Sequence, residues 1–325
     1  MAAQCNLAEV TFRRIYLRQW KDRWREQYDA GIHARGREVP SLSGAGILTP
    51  QKVGRREFHC LSRGEVWAAL LALFNPAVWE IHEQRILYPS PRRHFLEGHP
   101  RGAGHHWPPL RGTLDVASRL GFLPHIESIR IEGASAGEYS YVPVFWLGDL
   151  LLFLEDEAGP YLVNWSVKDT LAAFGKPGPR RHGKMPTNKE LEQAHARHRI
   201  EVVYYEDAGI PTREIGCDQI DTNLAYNLRD LCLCEAPSAA VNEEKRSRAI
   251  ETFRQEVGSE TPANVVVSDV AQRLAIDPAD SKCILYQALW ARQVRIDLFQ
   301  RFLLNKPLRP ERVDPLQRYS NWFAR

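Results

Sequence analysis

The chain has 325 residues, of which 44% are hydrophobic and 10% aromatic, and its formal net charge is +3. This length predicts two domains, and the apolar content is that of a globular protein, which excludes a disordered chain. The sequence has no run of about 20 apolar residues and begins without the apolar segment of a secretory signal. We therefore expect an intracellular, cytoplasmic protein that does not span a membrane.

Cysteines and basic residues narrow the class further. Six cysteines are present without a C-x2-C pair, which argues against a zinc ribbon and a disulfide framework and favours free buried thiols. Arginine and lysine are concentrated in four runs, at 13–25, 52–56, 91–101 and 176–184. One such run is usually a solvated helix face or loop, whereas four together favour a surface that contacts nucleic-acid phosphates.

The N-terminal part reads as an α/β or α+β domain around a mixed sheet. Apolar periodicity and the positions of caps, Pro and Gly predict its elements. In chain order they are a helix over 62–74 capped by Ser62, a strand over 78–87, a surface loop over 90–112, a helix over 113–120, a β-hairpin over 148–169 and a helix over 188–207. The hairpin prediction rests on two extended runs that flank the turn residues 157–160. A capping box formed by Thr187 and Glu190 begins the last helix.

The C-terminal part has a different pattern. A polar, Pro-containing segment at 235–245 is typical of a linker and divides the chain into domains 1–235 and 236–325. Beyond it we expect helices over 245–257, 268–275 (with Ser268 as N-cap) and 278–291, and a strand in which Val294, Ile296 and Leu298 alternate with polar residues. This order predicts a helix-turn-helix with a wing.

The hairpin carries the residues that suggest a reaction. Asp149 opens its first strand. On its second strand Ser166 and Lys168 point to one face, because they are two residues apart, and Trp165 and Val167 point to the other, toward the core. A carboxylate and a lysine at one sheet edge suit phosphodiester hydrolysis. Carboxylates bind Mg²⁺, which polarises the phosphate and acidifies the attacking water, and a lysine holds that water or stabilises the negative charge.

A metal ion needs a second carboxylate, and Glu65 on the first predicted helix is the natural candidate. Each of these residues also has a structural interpretation. Glu65 follows Ser62 by three residues, so the two also form a capping box. Asp149 also suits a turn, and Lys168 a solvated strand end. From the residues alone, a nuclease stays one of several interpretations.

Five segments, in the same order, resemble the TnsA-type endonuclease subunits of heteromeric transposases. They are HCLSRGEVWAALLALFNPAVWEIHEQ (59–84), LDVASRLGFLPH (114–125), GDLLLFL (148–154), WSVKD (165–169) and LEQAHARHRIEVVYYEDAGIPTREI (191–215). The likeness extends over residues 55–230 and more loosely over 245–310. No single motif is decisive, and the argument rests on their common order.

The resemblance implies an α/β fold, with a restriction-endonuclease-like (PD-(D/E)xK) N-terminal domain and a winged-helix-like helical C-terminal domain. The N-terminal domain would include a basic extension (1–55) and an inserted loop (90–112). The site residues that it implies are Glu65, Asp149 and the carbonyl of Val167 as metal ligands, and Lys168 as the catalytic lysine.

The chain departs from the family at two positions and adds several candidates. Ser166 stands where the family has Gln, which puts the role of Ser166 in doubt, and Gly148 stands where the family has Thr. Glu201, on the helix after the lysine, is a supporting candidate that would orient Lys168. Four histidines lack further ligands nearby in the sequence and favour a DNA- or partner-facing loop and a helix surface over a metal site: His105, His106, His195 and His198.

The function implied by the resemblance is Mg²⁺-dependent endonucleolytic cleavage of the 5′ ends of a transposon during cut-and-paste transposition. The cofactor would be one or two Mg²⁺ ions, with Mn²⁺ as a substitute. The implied partners are transposon-end DNA, a TnsB-like DDE transposase that cuts the 3′ ends, and a TnsC-like AAA+ regulator, so we expect a bacterial, DNA-associated endodeoxyribonuclease. Another restriction or repair nuclease of the same fold and a non-catalytic DNA-binding adaptor are the alternatives.

Overall fold

The predicted β-hairpin lies in the middle of a four-stranded sheet. A computed structural model describes residues 9–38, 44–132, 138–178, 185–234 and 241–325. Its strands are β1 (Gly46–Leu48), β2 (Phe58–Cys60), β3 (Val78–Glu83), β4 (Ile86–Leu87), β5 (Ser128–Glu132), β6 (Tyr139–Pro143), β7 (Trp146–Leu147), β8 (Leu150–Asp156), β9 (Gly159–Lys168) and β10 (Thr212–Gly216). The central sheet has the order β10-β9-β8-β3, in which only β10 and β9 are parallel. The pairs β1–β2, β4–β7 and β5–β6 form two-stranded ladders.

The helices are α1 (Glu9–Gln19), α2 (Arg63–Phe74), α3 (Thr113–Arg119), α4 (Asn188–Glu206), α5 (Thr222–Cys232), α6 (Glu243–Gln255), α7 (Ala263–Leu274), α8 (Pro278–Trp290), α9 (Pro315–Arg318) and α10 (Ser320–Phe323). Three helix predictions in the N-terminal part are thereby confirmed, for α2, α3 and α4. Their caps are the ones expected, since Ser62 accepts a hydrogen bond from the backbone of Glu65 and the Thr187–Glu190 capping box is present.

The pleat of the hairpin sends alternate side chains into two cores. On one face Leu152 and Trp165 pack with α2 and the C-terminal helices. On the other face Leu151 and Phe153 pack with α4 and the segment 90–112. The predicted orientation of the second strand is confirmed, because Trp165 and Val167 are buried in the first core. With both helices and sheets, the fold is mixed α/β.

The predicted strand over 78–87 is interrupted. It divides into β3 and β4 at Gln84, whose φ of 53° lies in the left-handed region. A non-glycine residue seldom adopts this conformation. The break turns the chain away from the central sheet, so that β4 pairs with β7 in place of β8.

The segment 90–112, predicted as a surface loop, is only partly at the surface. Its backbone closes on itself through a bridge between Arg92 and Leu110. Three apolar side chains (Phe95, Leu96 and Leu110) are buried in the core on the α4 face. The Pro, Gly and His content of the segment favoured a surface loop, but its few apolar side chains pack into the core and hold it there.

Two predictions for the C-terminal part are wrong in detail. The second helix begins at Ala263, and Ser268 lies inside it with its hydroxyl donating to the carbonyl of Asn264. The expected strand is absent from the described segment 290–310, where Ile296 forms only an isolated bridge with Pro310. Val294, Ile296 and Leu298 are nevertheless buried in the core with the C-terminal helices. Their alternation with polar residues therefore arises from this packing and not from pairing in a β-sheet.

The C-terminal part packs directly on the central sheet. The ring of Phe74 at the end of α2 lies 5.6 Å from that of Trp290 on α8. The indole Nε1 of Trp165 donates to the carbonyl of Trp322 at 2.7 Å. Residues from both parts form one continuous core. The predicted boundary at 235 lies among residues 235–240, outside the described residues.

Helix lengths and apolarity bear on membranes. In the part of the chain that the structure describes, no helix is both long and apolar enough to cross a bilayer.

Candidate functional site

Asp149 lies at the open end of the hairpin, one residue before β8. Its Oδ2 accepts a hydrogen bond from the backbone N–H of Val167 at 2.7 Å, and its carbonyl accepts one from the backbone of Gln84 at 3.1 Å. The preceding residue, Gly148, allows close packing, because a Cβ there would meet the hydroxyl of Tyr205 at 3.1 Å. The carboxylate is therefore fixed between the ends of two strands.

Asp149, Ser166 and Lys168 line a common cleft of about 400 Å³ between the sheet edge and α4. Ser166 is 3% exposed, whereas Lys168 is exposed at the last position of β9. The alternation predicted for β9 thus brings the carboxylate and the ammonium group to the same side of the sheet. Arg197 and His198 from α4 also line the cleft, and sequence analysis had not assigned a role to Arg197.

Glu65 is more deeply buried, at 7% exposure. Its Oε2 accepts hydrogen bonds from the backbone of Leu61 at 2.8 Å and from the side chain of Gln84 at 2.9 Å. Burial, and next the negative charge of Asp149, raise the pKa of Glu65 to about 8, while the nearby charge of Lys168 opposes that shift. Ser62 caps α2 by accepting from the Glu65 backbone, but the Glu65 carboxylate accepts from the backbone of Leu61 and the hydroxyl of Ser62, so the predicted reciprocal capping box is not completed. Glu65 also lies within electrostatic reach of the other two predicted site residues.

Glu201 is buried on α4 at the border of the cleft. Its Oε1 accepts a hydrogen bond from the side chain of Asn164 at 3.1 Å. Burial, followed by the charge of Asp149, raises the pKa of Glu201, and the charge of Lys168 lowers it. Glu201 lies within electrostatic reach of Lys168, but its side-chain hydrogen bond is to Asn164, so a role in orienting Lys168 stays a prediction.

The basic runs are neutralised to a large extent. Arg56, from the run 52–56, is buried and forms an ion pair with Glu83 at 2.6 Å. Arg18 pairs with Glu38 at 2.9 Å, and Arg101 pairs with Glu155. Arg56 and Arg18 are therefore not available to phosphates, whereas Arg101 is 45% exposed and its surface ion pair is weak. Part of the fourth run, residues 179–184, lies outside the described residues.

Of the histidines singled out in the sequence, His198 lines the cleft with Asp149 and Lys168, whereas His105 and His195 do not. His198 pairs with Glu214 at 2.7 Å, and His195 meets the ring of Phe122 edge-on. His105 packs on Trp107. A DNA- or partner-facing role for the loop histidines stays a prediction.

The oxygen donors of Glu65 and Asp149 are of the type that a hard divalent cation prefers. The negative charge of Asp149 disfavours the ionised form of Glu65, and a cation bound between the two side chains would remove that repulsion. Among the described residues, no group of three His, Cys, Asp or Glu side chains is placed to hold a metal. A bound cation would therefore take its other ligands from the backbone, such as the carbonyl of Val167, from water or from a phosphate.

The charges in this cleft suit a phosphodiester. An exposed lysine beside a fixed carboxylate provides one group for the phosphate and one for a cation. The sequence had given no role to Gln84, which contacts the side chain of Glu65 and the backbone of Asp149. Gln84 is the last residue of the segment 59–84 quoted for the family resemblance, which assigned a role to Glu65 and none to Gln84. Neither a protein-family model nor a curated protein matches this chain.

Proposed function

We propose that this chain is a Mg²⁺-dependent endodeoxyribonuclease with a restriction-endonuclease-like domain, in which Glu65 and Asp149 hold the metal and Lys168 acts on the scissile phosphate. The observation that carries the proposal is the meeting of Asp149 and Lys168 in one cleft, with Glu65 near enough for both charges to alter its pKa. Phosphodiester hydrolysis requires two such carboxylates and a cationic side chain near one another, and this arrangement of residues from separate parts of the sequence supports the proposal.

The chemistry follows from these side chains. When bound, Mg²⁺ polarises the phosphate and lowers the pKa of a coordinated water. Asp149 is oriented by the backbone of Val167, which occupies its Oδ2 and leaves Oδ1 as the oxygen that we assign to the cation. Lys168, exposed at the end of β9, orients the attacking water or stabilises the charge on the phosphate oxygens.

The substrate that we propose is the end of a transposon, cut on the 5′ strand. The ordered resemblance to TnsA-type subunits supports this choice, and it pairs the chain with a TnsB-like DDE transposase that selects the sequence. The helix that a helix-turn-helix would use for base reading, α8, is mostly buried, including Leu285, Ala288 and Trp290. We therefore assign the helical C-terminal part to contact with a TnsC-like regulator and not to base recognition.

Cleavage of labelled transposon-end DNA tests the proposal. The chain is mixed with Mg²⁺ and with a TnsB-like DDE transposase, and each strand is followed separately. We expect 5′-strand cleavage that falls about 100-fold or more in Asp149→Asn and in Lys168→Ala. Glu157→Gln is the matched control, since Glu157 is an exposed carboxylate at the opposite end of the same hairpin. Asp149→Asn should also weaken Mg²⁺ binding, whereas Lys168→Ala should leave it unchanged.

Other results point to the alternatives. Parental cleavage rates in both variants overturn the site assignment. Cleavage of unrelated DNA without the transposase identifies another nuclease of the same fold. DNA binding with no cleavage under any of these conditions identifies a non-catalytic adaptor.

A further inference from the structure

Gln84 contacts both acidic residues of the candidate site, Glu65 and Asp149. Its side-chain amide donates to Oε2 of Glu65 at 2.9 Å, and its backbone N–H donates to the carbonyl of Asp149 at 3.1 Å. Gln84 is 3% exposed. One buried residue therefore contacts one carboxylate directly and the backbone of the other.

The backbone of Gln84 is held in an unfavourable conformation. Its φ of 53° belongs to the left-handed region, where glycine or asparagine is the usual choice. A break between β3 and β4 needs only the backbone conformation, which either of those residues supplies at lower cost. The use of glutamine therefore points to its side chain, which reaches Glu65.

The N-terminal segment 19–31 holds this conformation in place. The Gln19 side chain donates to the Gln84 carbonyl at 2.9 Å and accepts from the backbone of Ile86 at 2.8 Å. The Gly31 backbone N–H also donates to the Gln84 carbonyl, at 3.3 Å, and the Tyr28 hydroxyl donates to the carbonyl of Glu83 at 2.6 Å. These bonds satisfy backbone groups at the break that lie where regular pairing with β8 stops.

Close approach at Gly31 supports the same conclusion. A Cβ at Gly31 would lie 2.7 Å from the Gln84 carbonyl oxygen, a distance that real Cβ atoms do not tolerate. Gln19 is itself 1% exposed, and its carbonyl accepts a hydrogen bond from the hydroxyl of Tyr88. The segment 19–31 is therefore packed tightly against the break between β3 and β4 and hydrogen-bonded to it.

We propose that Gln84 is a positioning residue for the metal-binding carboxylates and that the N-terminal segment 19–31, through Gln19, is part of the active-site architecture. The inference rests on the proposed function, because it takes Glu65 and Asp149 as the metal ligands. Gln84 orients the carboxylate of Glu65 through its amide and sets the position of Asp149 through its backbone. Groups that orient metal ligands in this way commonly change metal affinity about 10–100-fold when they are removed.

The test compares Mg²⁺ binding in four variants of the full chain, measured by competition with Tb³⁺ luminescence. Gln84→Gly keeps the backbone conformation and removes the amide, and Gln84→Asn keeps a shorter amide in a residue that tolerates positive φ. Gln19→Leu removes the contacts of the N-terminal segment. Gln27→Gly is the control, since Gln27 is exposed in the same segment.

We expect Gln84→Gly to weaken Mg²⁺ binding about 10–100-fold and to raise the Mg²⁺ concentration that gives half-maximal cleavage by a similar factor. The KM for DNA should stay unchanged. Gln84→Asn should restore part of the affinity, Gln19→Leu should weaken Mg²⁺ binding in the same direction, and Gln27→Gly should behave as the parent. Partial rescue by asparagine is not expected of a residue that serves only the fold.

Two results overturn the inference in different ways. If Gln84→Gly melts cooperatively and binds Mg²⁺ like the parent, while Asp149→Asn does not, the inference is wrong and the proposed function stands. If the parental chain binds no Mg²⁺, both are wrong. Should Gln84→Gly fail to fold, parental Mg²⁺ affinity in both Gln84→Asn and Gln19→Leu contradicts the inference equally.

Discussion

The buried ion pair between Arg56 and Glu83 should be essential for stability, and its loss can be predicted from its surroundings. Two guanidinium nitrogens of Arg56 contact the two carboxylate oxygens of Glu83 at 2.6 and 2.8 Å. The side chains are only 6% and 0% exposed. Arg56 also donates to the carbonyl of Ile81 at 2.8 Å, and Glu83 accepts from the backbone of His59 at 3.1 Å. Arg56→Met would leave the Glu83 carboxylate buried without a cation.

The expected cost follows from that geometry. Removing one partner of a buried pair destabilises a protein by about 3–5 kcal/mol, because an uncompensated charge remains. With about 2 °C per kcal/mol for a chain of this size, the melting temperature should fall by roughly 6–10 °C. In the double variant Arg56→Met/Glu83→Leu neither charge of the pair remains, and the cost reduces to the unpaired groups of Ile81 and His59, about 1–3 kcal/mol for each group.

Urea unfolding of the parent, the two single variants and the double variant measures these free energies. The double variant should lose less stability than the two single variants together, with a coupling of about 2 kcal/mol or more between the two sites. Arg93→Met is the control, since the Arg93 side chain is 82% exposed. A loss below about 1 kcal/mol in Arg56→Met, or additive losses in the double variant, refutes the reasoning.

Three further predictions concern the candidate site and the residues around it. The pKa of Glu65 is raised from 4.5 to about 8, so the folded state binds a proton at Glu65 more tightly than the unfolded state does. Without metal, this contribution to the free energy of unfolding is fully present below pH 4.5 and is lost as the pH rises to about 8. Burial raises the pKa of Glu80 to about 7, which acts in the same direction. The melting temperature measured against pH should therefore depend less on pH in Glu65→Gln than in the parent, but should still fall as the pH rises. Gly148→Ala should slow cleavage, because its Cβ would meet the Tyr205 hydroxyl at 3.1 Å, and Tyr205→Phe should restore the rate. Tyr205→Phe alone should raise the free energy of unfolding in urea by about 1 kcal/mol, since that hydroxyl is buried without a partner among the described residues. If Gly148→Ala/Tyr205→Phe cleaves as slowly as Gly148→Ala, the steric explanation is wrong.

Local signals were sufficient for much of the architecture. The hairpin was predicted from its apolar runs and turn residues, and α2 and α4 from their caps, because these features are determined by residues close together in the chain. Where long-range packing decides, the same signals were inadequate. Val294, Ile296 and Leu298 alternate like a strand, yet they are buried by helices and not paired.

The candidate site divides in the same way. The sequence by itself determined that Ser166 and Lys168 share a face of β9, since the strand period of two requires it, and that Ser62 and Glu65 form a cap. Only the tertiary structure decided that Glu65 lies within electrostatic reach of Asp149 and Lys168. The tertiary structure also decided that Arg56 forms a buried ion pair with Glu83 and that Gln84 donates a hydrogen bond to Glu65. The physical reason is that a buried charge or amide finds its partner across the fold, at separations that no local pattern encodes.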